Sequence, residues 1–471
     1  MLPMSGKLFQ HMDPMQQDKP QQIAVNKRTE GDINFTPARQ EWLANEVDEA
    51  TKILLEKDAK YFLHQALSTP CLDVLKNCNG PYIENIAGKK YLDFHGNNVH
   101  QIGFGHPKLV QRLNEQMQSL SFSTRRYTNE IAINFAEKLA SLLPSDLNRT
   151  LLTPNGSSSI GIALKLARAV TGKYKVVSFW DSFHGASLDA ISVGGESVFR
   201  EYIGPLMPGV ERIPPPVTYR GIFEGNESKC LEHLEYVFSK EGDIGAFLAE
   251  TVRNTDVQVP SKKFWAAARA LCDKYDVLLI LDEIPIALGR TGKLFAFEHY
   301  EIEPDILCLG KGLGGGIIPQ AAIVTRDAYN KFADISLGHY THEKSPLGSI
   351  AGLTTLEILE EERILEKVKQ DEAFMCTAMN ELRNKHELIG DIRGLGLLWG
   401  IELVKDKTTK EKAILEAEKV MYKCLKNGLS FKVSAGNVLQ LAPALTISRA
   451  ELKNALQILN TALSSVKTKY D

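Results

Sequence analysis

Two residues at the ends of apolar runs can do chemistry together. Asp282 closes the run 277–281, and Lys311 follows the run 306–309, seated between Gly310 and Gly312. An acid at the carboxyl end of a buried parallel strand stands where α/β folds place ligand-binding groups. Glycines on both sides leave room for an ammonium group and let the chain turn sharply. A lysine in a dry site has a lowered pKa and becomes a nucleophile toward a carbonyl. The pair suits an aldehyde-bearing pyridinium ring: the lysine bonds the aldehyde as an imine, and the ionised acid pairs with the protonated ring nitrogen. The ring can then accept the electrons of a substrate carbanion.

Two further segments fit such a cofactor. Gly156-Ser157-Ser158 stands directly before an amphipathic helical pattern. Free N–H groups, hydroxyls and the helix dipole there make an anion site. In WDSFHGAS, Phe183 lies just past an apolar run, placed to stack on a flat ring. Taken singly, the serines read equally as a plain helix cap, Phe183 as a core residue and Asp282 as a structural ion pair. Taken together, the four segments point to pyridoxal 5'-phosphate (PLP). Gly310 to Gly315 formally matches G-x-G-x-x-G, but a dinucleotide site opens the first βαβ unit and needs a helix directly after it. Here Gly316, Ile317, Ile318 and Pro319 follow. No P-loop is present.

The surrounding pattern supplies the scaffold. Helical windows cover HPKLVQRLNEQMQSL, NEIAINFAEKLASLL and SSSIGIALKLARAVTG. Between them run KVVSFW, DAISV, GAFLAE, VLLILDE, DILCLG and QAAIVT, several apolar nearly throughout, as strands covered on both faces are. The alternation predicts an α/β fold with a mostly parallel sheet. Upstream, a helical stretch covers EWLANEVDEATKILLEKDAKYFLHQAL, and a hairpin pairs PYIEN with KKYLDF. Downstream, one long helical stretch runs over 347–386, followed by glycine-turned strands and a final amphipathic helix. The expected division is a loose arm at 1–36, a segment 37–95 joining a small α+β domain, a large domain at 96–346 and the rest of the small domain at 347–471.

The bulk numbers exclude other classes. Among 471 residues, 55 Lys+Arg face 58 Asp+Glu, so no basic excess points to nucleic acid or a membrane surface. No run reaches the ~18 apolar residues of a membrane span. Seven scattered cysteines without a C-x-x-C pair argue for free thiols and against a zinc site; no metal is expected. The N-terminus lacks the compact apolar run of a signal peptide, and the expectation is a cytoplasmic protein.

From about Leu72 to Ile447 the chain resembles the class III aminotransferases of PLP fold type I. That family's D-E-[VI]-x-x-x-x-G-R-T-G is matched at Asp282 to Gly292, and its L-x-K-G-x-G-G-G at Leu309 to Gly316. The resemblance implies that Lys311 binds the cofactor aldehyde and Asp282 the ring nitrogen. Ile284 would pack under the ring and Phe183 over it. Gly156 and Ser157 would hold the phosphate, and Glu250 would lie near the active site. Thr341 would reach the phosphate of the partner subunit, in a homodimer with each site at the interface.

Departures from the family pattern bear on the reaction. Pro285 stands where a ring-oxygen donor, Gln, is common, and proline cannot donate that bond. The acid of G-S-E-A is replaced, giving Gly156-Ser157-Ser158-Ser159. Gln440 stands where many members have Arg for the substrate α-carboxylate, and neutral Gln cannot replace that bidentate pairing. A transaminase usually needs an α-keto acid for its second half-reaction; a lyase has none. Asn97 and Asn98 put hydrogen-bond donors where small or aromatic residues are usual. Arg125, Arg126, Arg253 and Lys344 are candidate partners for an anionic tail, each equally a solvated surface charge. The chain resembles most the ammonia-lyases of aminoalkylphosphonate breakdown, which implies the amine 1-hydroxy-2-aminoethylphosphonate as substrate. The alternatives are elimination of phosphate from a phosphorylated amino alcohol, an ω-aminotransferase, and a PLP-binding protein without turnover.

Overall fold

The computed structural model describes residues 33–144 and 146–466. Most of the arm expected at 1–36 therefore lies outside the described residues. At the centre is a seven-stranded sheet in the order β4 (Leu147–Thr153), β10 (Ala321–Arg326), β9 (Ile306–Leu309), β8 (Leu278–Asp282), β7 (Ile244–Glu250), β5 (Lys175–Phe179) and β6 (Val210–Ile213). The pairs from β9 through β6 are parallel, and β10 is antiparallel to both of its neighbours. Successive side chains of a strand point to opposite faces. Ala246 and Leu248 of β7 pack with Ile160, Ala163 and Leu164 of α5 (Gly156–Thr171) on one face. Phe247 and Ala249 pack with Phe238 of α7 (Glu227–Lys240) and Phe264 and Ala268 of α8 (Lys262–Lys274) on the other. Both faces are covered, which is why these strands are apolar at nearly every position.

Several expectations from the sequence are corrected. DAISV is α6 (Leu188–Val193), a helix rather than a strand. Burial of Ala190 and Val193 against α5 outweighs the strand preference of its β-branched residues. Strands β4 and β6 were not among the expected ones. The upstream helical stretch is two helices, α1 (Pro37–Asn45) and α2 (Glu49–Tyr61): Asp48 restarts the chain by accepting the Thr51 N–H at 2.7 Å, and Phe62 ends it in extended backbone. Downstream, α9 (Pro346–Glu361) and α10 (Ile364–Lys385) are separate, with Arg363 at φ +53° between them. α9 packs on α3 (Pro107–Ser119), on α4 (Glu130–Ser141) and on the turn after Lys311.

Two small sheets complete the chain. One holds β1 (Leu75–Asn79), the expected hairpin β2 (Tyr82–Asn85) and β3 (Lys90–Asp93), and is completed by β13 (Leu429–Ser430), which runs parallel to β3. α11 (Ile414–Lys426) leads into β13 and packs on α1. The other is β11 (Ile389–Leu395), β12 (Leu398–Leu403), β15 (Val438–Leu441) and β14 (Lys432–Ser434). The final helix is α12 (Arg449–Ser464). No helix among the described residues is long and apolar enough to cross a membrane.

Candidate active site

The parallel strands end in a row of functional groups. Glu250 at the end of β7 is in register with Asp282 at the end of β8, and Asp282 with Cys308 of β9, three residues before Lys311. Asp282 is buried and held from two sides: the Ile284 N–H donates to Oδ1 at 3.0 Å, and His184 Nδ1 lies 2.8 Å from Oδ2. Glu283, next in the chain, points the other way and accepts from the N–H groups of Ala296 and Phe297 and from the Thr251 hydroxyl. It anchors the 284–295 turn and takes no part in the site.

Lys311 opens a 3-10 turn, Lys311–Gly314, and itself takes the left-handed conformation, φ +48°. The expectation that its glycine neighbours make the turn is corrected. Gly310 is extended at φ -177°, and Gly312 is needed for space, since a Cβ there would run into the Gln101 amide. Non-glycine residues held in this region are strained and concentrate at functional sites. Burial lowers the Lys311 pKa, opposed by the charges of Asp282 and Glu250 and reinforced by that of Lys432. Burial pushes the Glu250 carboxyl up to about 7, although it accepts N–H groups from Phe183 at 3.2 Å and Asn254 at 2.9 Å.

Gly156 is the first residue of α5. The cap is Asn155, whose side chain accepts the Ser158 N–H, so the reading of the serines as the cap is corrected. The N–H groups of the first turn precede any intrahelical acceptor and stay available to an anion. The Ser157 hydroxyl accepts the Ala186 N–H at 3.0 Å, which draws the 183–186 turn onto the helix end. A Cβ on Gly156 would lie 2.8 Å from Ile284 Cδ1, and one on Gly310 would lie 3.1 Å from Ile284 Cγ2. Gly156, Ile284 and Gly310 thus form one close-packed floor. Phe183 stands at the rim with its ring 4.6 Å from that of Phe199.

The expected substrate residues are brought together only in part. Asn97 and Asn98 lie in a 3-10 turn at φ +46° and +57°, with Asn97 exposed and Asn98 buried. Asn98 donates to the Asn254 side chain at 2.8 Å, and the buried Gln440 amide donates to the Asn254 carbonyl at 2.7 Å. Asn254 therefore ties Glu250, Asn98 and Gln440 into one network. Arg253 is neither a surface charge nor free for an anion: it is buried and gripped by both carboxylate oxygens of Asp256, at 2.7 and 2.6 Å. Arg126, Thr341 and Lys344 are exposed. The loop carrying Thr341 and Lys344 lies against Phe122 and Asn129. Sequence reasoning missed His184, Asn254 and Lys432. The first was within reach, adjacent to Phe183; the other two gain meaning only through contacts distant in sequence.

The family model of the aminotransferases of class III matches residues 64–463. The chain belongs to the class III aminotransferases. An (R)-1-hydroxy-2-aminoethylphosphonate ammonia-lyase from Vibrio splendidus is 56% identical over 95% of this chain and 97% of its own length. An alanine/serine racemase from Pyrococcus horikoshii is 31% identical over 83% of this chain and 85% of its own. Among solved structures, a taurine:2-oxoglutarate aminotransferase from Bifidobacterium kashiwanohense, in complex with PLP and glutamate, superposes with a TM-score of 0.83. It is 26% identical and covers 89% of this chain and 98% of that one. The cofactor of this class III aminotransferase is PLP, and its residues fit the group. The buried Asp282 carboxylate suits a protonated ring nitrogen, a lysine of lowered pKa suits the aldehyde, and the side-chain-free floor at Gly156 and the first turn of α5 suit the phosphate.

Proposed function

We propose that this enzyme is an ammonia-lyase that converts 1-hydroxy-2-aminoethylphosphonate to phosphonoacetaldehyde and ammonia. The observation that carries the reading is Gln440. At the position where a carboxylate-binding arginine is common, it holds a neutral amide already engaged with the Asn254 carbonyl. A reaction without a keto-acid half does not need that arginine. The 56% identity to the Vibrio splendidus lyase supports the same conclusion.

Bound PLP supplies an electron sink for the carbon that bears the substrate nitrogen. Lys311 would take the proton from that carbon, and burial lowers its pKa, which suits it to act as a base. Asp282, its two oxygens fixed by His184 and the Ile284 N–H, would pair with the protonated ring nitrogen of the bound cofactor. Hydroxide leaves from the neighbouring carbon and water returns on hydrolysis. The balance is one substrate to one phosphonoacetaldehyde and one ammonia, with no net water.

The reading includes a cytoplasmic homodimer. Thr341, exposed here, would serve the partner's phosphate site, and Arg126, also exposed, is a candidate for the substrate's anionic group. It also includes the expected division of the chain at 346, with the boundary moved to 361 so that α9 joins the cofactor-holding unit from 96 onward, leaving 37–95 with 364–471 as the smaller unit. The packing of α9 on α3 and α4 and the pairing of β13 with β3 support this division.

The test is ammonia release from 1-hydroxy-2-aminoethylphosphonate with no keto acid added. Continuous release with the original cofactor spectrum restored is expected. A single equivalent of product, with the cofactor left in its amine form until a keto acid is supplied, would establish instead an ω-aminotransferase, a keto-acid-dependent reaction like that of the taurine:2-oxoglutarate aminotransferase from Bifidobacterium kashiwanohense.

A further inference from the structure

Beyond Phe199 a cleft of about 540 Å³ opens between the β7 end and the β14–β15 hairpin. Four cationic side chains reach its wall: Arg220, Arg253, Lys412 and Lys432. Three are engaged. Arg220 meets Glu402 at 2.9 Å, Arg253 is clamped by Asp256, and Lys412 donates to the Ala435 carbonyl at 2.7 Å. The Lys432 side chain makes no ion pair or hydrogen bond among the described residues, yet its charge acts on Lys311, His95 and Glu196.

Strand register explains this position. Lys432 on β14 is the cross-strand partner of Gln440 on β15. Directly opposed residues of an antiparallel pair point to the same face. Gln440 reaches Asn254 beside Glu250, so Lys432 rises from the same face, one strand over.

Resting on the lyase reading, we propose that Lys432 binds the phosphonate of the substrate, a cation displaced by one strand from the usual arginine position. Amine and phosphonate are separated by two carbons, so the anion's partner has to lie close to Lys311. A lysine serves a tetrahedral oxyanion as a point charge, whereas a planar carboxylate favours the arginine fork. With Gln at 440 and Lys at 432, the cation for the substrate's anion is moved from the arginine position to β14. Glu196, which also lines the cleft, accepts the Thr255 hydroxyl at 2.7 Å, and burial raises its pKa.

The test uses the holoenzyme and Lys432→Met, with Lys432→Gln as a second variant if the first does not fold. The visible band of Lys311-bound PLP checks cofactor loading. Loss of one charge-assisted contact is expected to raise KM for 1-hydroxy-2-aminoethylphosphonate about 10- to 100-fold, with a smaller change in kcat. The inhibition constant of methylphosphonate should rise in parallel, and Lys432→Arg should recover most of both. Ammonia release by the parent enzyme with KM and inhibition unchanged in the variants would overturn the assignment of Lys432 and leave the reaction standing. No ammonia release by the parent enzyme would overturn the reaction and this proposal together.

Discussion

Replacing His184 by Leu tests whether Asp282 depends on its second anchor. The two side chains are buried, with Nδ1 and Oδ2 2.8 Å apart. Leucine keeps apolar bulk in the pocket and removes the donor. The Ile284 N–H, at 3.0 Å from Oδ1, remains, so the carboxylate loses one of its two fixed contacts. A hydrogen bond to a charged group contributes about 1.5–3 kcal/mol, which corresponds to a loss of about 10- to 100-fold. The loss should appear twice, as a raised dissociation constant for PLP in absorbance titrations and as a lowered kcat at saturating PLP. Removal of Asp282 itself should cost more in both, because the ring nitrogen then faces no charge. Equal PLP affinity and equal kcat in His184→Leu and the parent, at matched thermal stability, would refute the argument that His184 positions Asp282.

Three shorter predictions follow from the same geometry. Lys311→Ala should abolish the visible band of lysine-bound PLP and all turnover, and normal turnover in that variant would overturn the central assignment. Gly156→Ala should gain helix propensity but press on Ile284 at 2.8 Å, so PLP affinity should fall while apoenzyme stability holds or rises; titration and thermal melting separate the two effects. Glu250 binds its proton more tightly folded (about 7) than its ordinary 4.5, with burial the main cause. Between those values the folded state holds more protons than the unfolded one, so its contribution to apoenzyme stability falls as pH rises from 4.5 to 7, by up to about 3 kcal/mol. Glu250→Gln should flatten that part of the stability profile in denaturant melts, and parallel profiles would count against the raised pKa.

Local spacing encodes one part of this molecule and distant contacts the other. Asp282 and Lys311 each follow an apolar run that both sheet faces cover, so the amino-acid pattern alone places them at the ends of buried strands. The helix start at Gly156 is legible for the same reason, although the cap is Asn155. Elements decided by distant partners are not legible. α6 looks like a strand until α5 is laid against it, and β4 and β6 have too few apolar residues to stand out. Arg253 looks like a surface charge until Asp256 folds back onto it. Lys432 has no neighbour in sequence that hints at the site; only its register with Gln440 brings it there.

The parallel pairing of β13 with β3 also governs when the enzyme can become active during synthesis. The Leu92 N–H bonds the Gly428 carbonyl, Phe94 bonds Ser430, and the Leu445 N–H bonds the Gln101 carbonyl. The segment that carries His95, Asn97 and Asn98 is therefore fastened at both ends by chain made more than 300 residues later. At ~5–20 residues per second, translation takes roughly 17–70 s to go from Asn98 to Gln440. During that interval the strand ends and Lys311 can form while the substrate side of the pocket is missing its wall. Until β13 is made, the segment carrying His95, Asn97 and Asn98 lacks the partners that fasten it on both sides.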